Sequence, residues 1–317
     1  MRALPAAFGE YRWAPSTETI AAELGLDPTT IRRFDGNVPA SPSPTAGPAA
    51  VADALAKVNE YAHGGFPALV AAIAEYAAVE PENVVLGAGA DDLILLCART
   101  FAGEGDVVAI DMSPTYPLFR IAAHLAGAEV GERDPAVTFT CRPNNPTGAL
   151  GALSLSRPLV VDEAYFEYAG DTAAGLIEEG VVVLRTFSKA FGLAGARVGY
   201  GLADAATAAE LNRRQAPQPI SGISAALALA ALAAGPPDVS EQVAERDRCA
   251  AVLGAIGLQP LPSWANFLFV PMEDSDEVGA ALLRAGLVVR VFLDGIRFSV
   301  RDREDDDRLL DALSRLG

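Results

Sequence analysis

Residues 186–200 read TFSKAFGLAGARVGY. Lys189 stands there among small and apolar side chains, eight positions ahead of Arg197. A lysine kept for solubility belongs on a wet face, and these neighbours are core-like. The run that leads into it, VVVLRTF (181–187), is apolar and of strand length, so Thr186, Ser188 and Lys189 fall at the end of a buried strand. Two hydroxyls and Arg197 can hold a phosphate. An amine in a partly desolvated, cation-flanked pocket has a lowered pKa and becomes a nucleophile toward a carbonyl, forming a Schiff base.

Working outward, further strands are expected at VVLG (84–87), DVVAI (106–110), TFTCRP (138–143), PLVVDEA (158–164) and VGYGL (198–202). Helices are expected over about 91–102 and 117–127. Strands alternating with helices predict an α/β domain with a largely parallel sheet. Ahead of it lie a short helix, TETIAAELGL (17–26), started by Thr17 or Thr19, and an extended crossing segment, DGNVPASPSPTAGP (35–48). Two helical stretches, 49–58 and 66–78, follow. After about residue 236, GPPD marks a boundary. Beyond it come a helix (239–255), NFLFV (266–270), a helix (275–285), LVVRVF (287–292), IRFSV (296–300) and a last helix opening on the acidic run Glu304–Asp307. This pattern predicts a smaller α+β domain. The expected division is 1–44 as an N-terminal arm and part of the small domain, 45–236 as the large domain and 237–317 as the small one. AAELGLDPTTIRRF (21–34) has the look of a DNA-reading helix–turn–helix, but a helix followed by a proline-started turn explains it better.

Composition narrows the function. Hydrophobic residues are 51% of the 317 and charged residues 21%, enough for a sizeable core. The 24 basic residues face 41 acidic ones, a formal charge of −17, which argues against nucleic-acid and anionic-membrane partners. Any anion site must then be built locally. Cys97, Cys141 and Cys249 have neither disulfide nor zinc spacing, and His63 and His124 are the only histidines, so no metal site is expected. No apolar leader or membrane-length run is seen, and a soluble cytoplasmic protein is expected.

Other segments carry chemistry. GAGADD (87–92) joins a strand to an acid-started helix through small residues. It fits a phosphate cradle as readily as a plain tight turn. CRPNNPTG (141–148) is rich in turn signals. PLVVDEAYFEY (158–168) is a strand ending in Asp162 and Glu163, with Tyr165 following. That puts Asp162 at the carboxyl edge of the sheet, where ligands bind in open α/β folds, although a helix N-cap explains it too. An acid paired with a pyridine nitrogen is the usual partner of a Schiff-base lysine in pyridoxal phosphate enzymes.

The ordered set PNNPTG, VVDEAY and TFSKAFGLAGARVGY resembles the fold type I pyridoxal-phosphate enzymes, and within them the histidinol-phosphate aminotransferase group of class I/II aminotransferases. The similarity extends to RFDGNVP (33–39), YAHGGFPALVAAIAEY (61–76), VVLGAGADDLILLCARTF and DMSPTYPLFRIAAHLAGAEV (111–130). It implies a large domain with a mostly parallel mixed sheet plus a smaller α+β domain. It also implies pyridoxal 5′-phosphate as cofactor and ping-pong transfer of an amino group. Lys189 would form the Schiff base and shuttle the α-proton. Asp162 would pair with the pyridine nitrogen, Asn145 and Tyr165 would bond the ring hydroxyl oxygen, and Tyr116 would stack on the ring. Thr186, Ser188, Arg197 and the backbone of Gly89, Ala90 and Asp91 would hold the phosphate. Tyr61 would reach the neighbouring subunit's cofactor, implying a homodimer with shared sites. Arg297 would bind the substrate carboxylate, with Asn37 and Arg290 also facing substrate.

The donor implied is histidinol phosphate or an aromatic amino acid, with 2-oxoglutarate as the keto-acid acceptor. A threonine-phosphate decarboxylase and a non-catalytic binding or regulatory protein are the alternatives. The chain departs from the family pattern in places. Ala90 stands where a serine is usual, a loss of about 1 kcal/mol of hydrogen bonding. The links 130–141, 148–158 and 290–297 are short. Arg301 replaces a glycine in SVRDRE (299–304), a detail similar to the decarboxylases.

Overall fold

The computed structural model describes Phe8 and residues 14–316. A helix over Thr17–Leu24 is capped by Ser16, whose side chain accepts from the Thr19 amide, so the start falls just ahead of the expected threonines. A single turn, Pro28–Thr30, follows, and then β1 (Arg32–Arg33). The proline-started turn therefore replaces the helix–turn–helix look of this stretch. The segment from Phe34 to Gly47 runs without helix or strand, as its prolines require.

The large sheet contains β2 (Val84–Gly87), β3 (Val107–Ile110), β4 (Glu129–Val130), β5 (Val137–Cys141), β6 (Leu159–Asp162), β7 (Val181–Thr186) and β8 (Gly199–Leu202). Their order is β2-β8-β7-β6-β5-β3-β4, and only β8 runs against its neighbours. The sheet is thus the mostly parallel mixed sheet expected. Alternate strand residues feed two cores. Leu86, Leu159, Val161, Val181, Val183 and Tyr200 pack beneath the helices Pro67–Ala77 and Gly222–Ala233. Val85, Val108, Val160, Val182 and Leu184 pack beneath Ala90–Phe101, Leu118–Ala126 and Ala205–Arg214. Burial on both faces explains why these strands read as unbroken apolar runs. Each fully buried Val or Leu contributes about 1.5–3 kcal/mol.

The second sheet is antiparallel: β9 (Phe267–Pro271), β11 (Arg290–Phe292) and β12 (Gly295–Ser299), in the order β11-β12-β9. LVVRVF does not form one strand. Leu287–Val288 (β10) pairs in parallel with β1, and the chain changes partner at Val289. Phe34 packs with Cys249, Leu253, Leu268, Phe298 and Leu309, which ties the N-terminal segment into this second core. No helix is present over 148–158, in keeping with the shortness of that link. No helix among the described residues is long and apolar enough to cross a membrane.

Candidate active site

Strands β5, β6 and β7 run parallel, so Cys141, Asp162 and Thr186 finish at one sheet edge. β2 enters the same edge through β8, with Gly87 opposite Gly199 and Gly199 opposite Thr186. A cleft of about 300 Å³ opens there, against the second sheet. Lys189, Asp162, Tyr165, Asn145, Tyr116, Thr186, Ser188, Arg197, Ala90, Asp91, Asn37, Arg290 and Arg297 all line it. Side chains predicted from several separate stretches therefore meet in one place. Tyr61 does not: it is 76% exposed, over a neighbouring surface depression with Lys57 and Arg197.

Lys189 donates to the Gly36 carbonyl at 3.2 Å. Its pKa is pushed down to about 8, first by burial and then by the Arg297 guanidinium. Of the two arginines near it in sequence, Arg197 adds a smaller effect, and Arg185 faces away. Arg185 is buried in an ion pair with Glu163 at 3.0 Å and stacks on Phe166 at 3.6 Å. Strand alternation accounts for this: Asp162 and Thr186 point to the cleft edge, Glu163 and Arg185 to the other side.

Asp162 is 4% exposed, and burial raises its pKa to about 7. Oδ1 accepts from the Ala164 amide at 3.1 Å, while Oδ2 has only the Cys141 thiol at 3.9 Å. A buried carboxylate so poorly partnered calls for a cationic N–H donor from the cleft. Tyr165 accepts from the Asn37 amide at 3.0 Å, which leaves its own proton to donate. Asn145 accepts from Arg297, which also donates to the Asp35 carbonyl at 2.7 Å.

The anion end is equally defined. Gly89 caps the helix Ala90–Phe101 with φ +89°, and a Cβ there would lie 2.9 Å from the Arg197 guanidinium. Its N–H is already given to the Gly87 carbonyl, so the first-turn amides at Ala90 and Asp91 are the ones left for an anion. Thr186 donates to Ser188 Oγ at 2.8 Å, which frees the Ser188 proton. Arg197 pairs with Asp91 at 3.1 Å, and Tyr116 donates to the same carboxylate at 2.9 Å. Amides, a hydroxyl and a guanidinium at one end, a lone carboxylate at mid-cleft and a depressed amine fit pyridoxal 5′-phosphate.

The profile of class I and II aminotransferases matches residues 33–133 and 131–313. The chain belongs to this family. An aromatic amino acid aminotransferase of Rhodococcus opacus is 36% identical, over 82% of this chain and 83% of that one. A histidinol-phosphate aminotransferase of Roseiflexus castenholzii is 34% identical over 98% and 96%. The solved histidinol-phosphate aminotransferase of Sinorhizobium meliloti, in complex with pyridoxal-5′-phosphate, superposes with a TM-score of 0.80 at 25% identity, covering 98% of each chain. This aminotransferase is therefore a pyridoxal-phosphate-dependent transaminase, and its cofactor is the one the cleft fits.

Three further residues to which the sequence assigns no role, Asp35, Cys141 and Phe292, also line the aminotransferase cleft. Arg301, by contrast, is withdrawn from it. Its guanidinium bonds Asp305 at 2.8 Å and the Arg33 carbonyl at 3.1 Å, which fastens the second sheet to the N-terminal segment. The decarboxylase-like detail is thus a structural tie among the described residues.

Proposed function

We propose that this transaminase moves the amino group of histidinol phosphate to 2-oxoglutarate. The observation that carries the reading is the pair Arg290 and Arg297. They are directly opposed across β11 and β12, so both side chains leave the same face of the sheet, and both line the cleft. Arg297 lies 5.4 Å from the Phe267 ring and 5.9 Å from the Phe292 ring, which fixes its fork. Arg290 is exposed and forms no ion pair among the described residues. Two guanidiniums suit a donor phosphate, and equally the two carboxylates of the acceptor. The curated relatives include enzymes for histidinol phosphate and for aromatic amino acids. The unpaired Arg290 favours the phosphate.

In this reading the cofactor supplies an aldehyde that captures primary amines and a ring that takes up the electron pair of the broken Cα–H bond. Lys189, lowered to about 8, carries a neutral fraction of about one tenth at pH 7 and takes the proton from the substrate α-carbon at Nζ. Asp162 holds its carboxylate toward the cofactor nitrogen. Tyr165 and Asn145 orient the ring oxygen, and Tyr116 covers the ring face. Ser188, Arg197 and the amides of Ala90 and Asp91 hold the phosphate, which compensates for the missing hydroxyl at residue 90. The exposed Tyr61 supports a homodimer in which it completes the partner's phosphate seat. Three free, buried thiols accord with a reducing cytoplasm.

A panel of amine donors, followed by the loss of the bound cofactor's absorbance band, tests the assignment. Arg290→Ala is expected to lower kcat/KM for histidinol phosphate by about tenfold or more and to spare aromatic amino acids. Equal losses for both donors refute the phosphate role. A protein that stays colourless with added cofactor refutes the site.

A further inference from the structure

Asn37 is 2% exposed and is held at φ +52°, a left-handed conformation that few non-glycine residues adopt. Such strain persists where surrounding bonds over-determine it. Here they come from both sides of the cleft. The Asn37 N–H donates to Ser299 Oγ at 2.8 Å, at the end of β12. Ser299 donates in turn to the Phe34 carbonyl at 2.7 Å and stands 3.3 Å from Asn37 Oδ1. The Asn37 carbonyl accepts from Asn266, next to β9, at 3.1 Å. Only the side-chain amide crosses to the large sheet, where it donates to the Tyr165 hydroxyl. Its bonds are thus directed at Tyr165 and Ser299 more than at the open cleft.

We propose that Asn37 is a positioning residue: it sets the direction and donor strength of the Tyr165 hydroxyl and ties that setting to the seating of the second sheet. A donor on the phenol oxygen polarises the O–H and fixes its rotor, so the proton goes outward into the cleft. The charged and titratable groups around the phenol are Arg297 from β12, Asp162 and Cys141 at the strand ends, and Lys189, whose amine lies 5.6 Å from the ring. Arg297 and Asn37 both favour negative charge on the phenol oxygen, whereas burial and Asp162 oppose it. The Ser299 hydroxyl at 3.3 Å from Oδ1 holds the amide in this orientation. The inference rests on the proposed role of Tyr165 toward the cofactor's ring oxygen.

The test is a spectrophotometric pH titration of the cofactor bound to Tyr165→Phe, Asn37→Gly, Asn37→Ala and Ser299→Ala, with thermal unfolding of the cofactor-free forms alongside. Loss of the Tyr165 donor makes negative charge on the ring oxygen less favourable, so the titration midpoint rises by about one pH unit. Both Asn37 variants are expected to raise it by about half as much. They differ in stability, because glycine accepts the left-handed backbone and alanine does not. Ser299→Ala moves the midpoint the same way. A Tyr165→Phe midpoint equal to wild type refutes the Tyr165 assignment itself. A shift in Tyr165→Phe with none in either Asn37 variant overturns the positioning role alone. So does a midpoint that follows stability, moving in the alanine variant but not in the glycine variant. An unmoved Ser299→Ala overturns the link to the second sheet.

Discussion

Replacing Asp162 with asparagine is expected to stabilise the cofactor-free protein while removing its activity. The carboxyl is buried, and its pKa rises from 3.8 to about 7. A group whose folded pKa lies above its unfolded value binds its proton more tightly in the native state. Its cost is therefore absent below about pH 4, grows as pH rises through the interval up to about 7, and is constant above it. The shift of about three units corresponds to about 4 kcal/mol at pH 8 and to about 2 kcal/mol at pH 5. Asparagine keeps an acceptor for the Ala164 amide but carries no charge, so it escapes that cost. Urea unfolding of the two cofactor-free proteins at pH 5 and pH 8 measures the difference. Other buried acids, such as Glu167 and Asp306, titrate in both proteins and cancel. The variant should be the more stable at pH 8, with the gap narrowing by about 2 kcal/mol at pH 5. A gap that does not change with pH, or a variant less stable at pH 8, refutes the view of Asp162 as an under-partnered carboxylate waiting for a cationic donor.

Lys189→Ala is expected to lower transamination by on the order of 10⁴-fold or more, because nucleophile and proton carrier are lost together. The variant should still bind cofactor through the phosphate seat, which equilibrium dialysis measures. Gly199→Ala places a Cβ 2.7 Å from the Arg185 carbonyl and 2.9 Å from the Gly89 backbone. Neither is a movable side chain, so a loss of about 2–4 kcal/mol in denaturant unfolding is expected, with weaker cofactor binding. Tyr61→Phe is expected to weaken cofactor binding by about tenfold without changing the unfolding of the cofactor-free chain. If the site is shared, mixing it with Lys189→Ala restores some activity in hybrid dimers.

Much of the fold is local in origin and can be read from the chain. Runs such as VVVLRT and LVVD are apolar on both faces, and this makes them interior strands of a parallel sheet. Because parallel strands end together, the last residues of these runs, Asp162 and Thr186, and Lys189 just beyond, meet at one edge. The helix Gly222–Ala233 is less legible, since its alanine-rich pattern has little periodicity to mark a face. The break at Val289 is invisible in LVVRVF, because strand partners are chosen by packing and not by the run itself.

The sequence by itself determines the chemistry available: an amine, an acid, a phosphate turn and their placement on the ends of successive elements. Tertiary structure decides how those groups are tuned. Arg297, distant in sequence, lowers the Lys189 pKa more than either neighbouring arginine, because charge acts through space and Arg185 is turned to the other face. The same long-range geometry withdraws Arg301 to Asp305, leaves Arg290 without an ion pair among the described residues and fastens Asn37 between Tyr165 and Ser299. Local pattern sets which residues end a strand; only the docking of the second sheet sets what faces them.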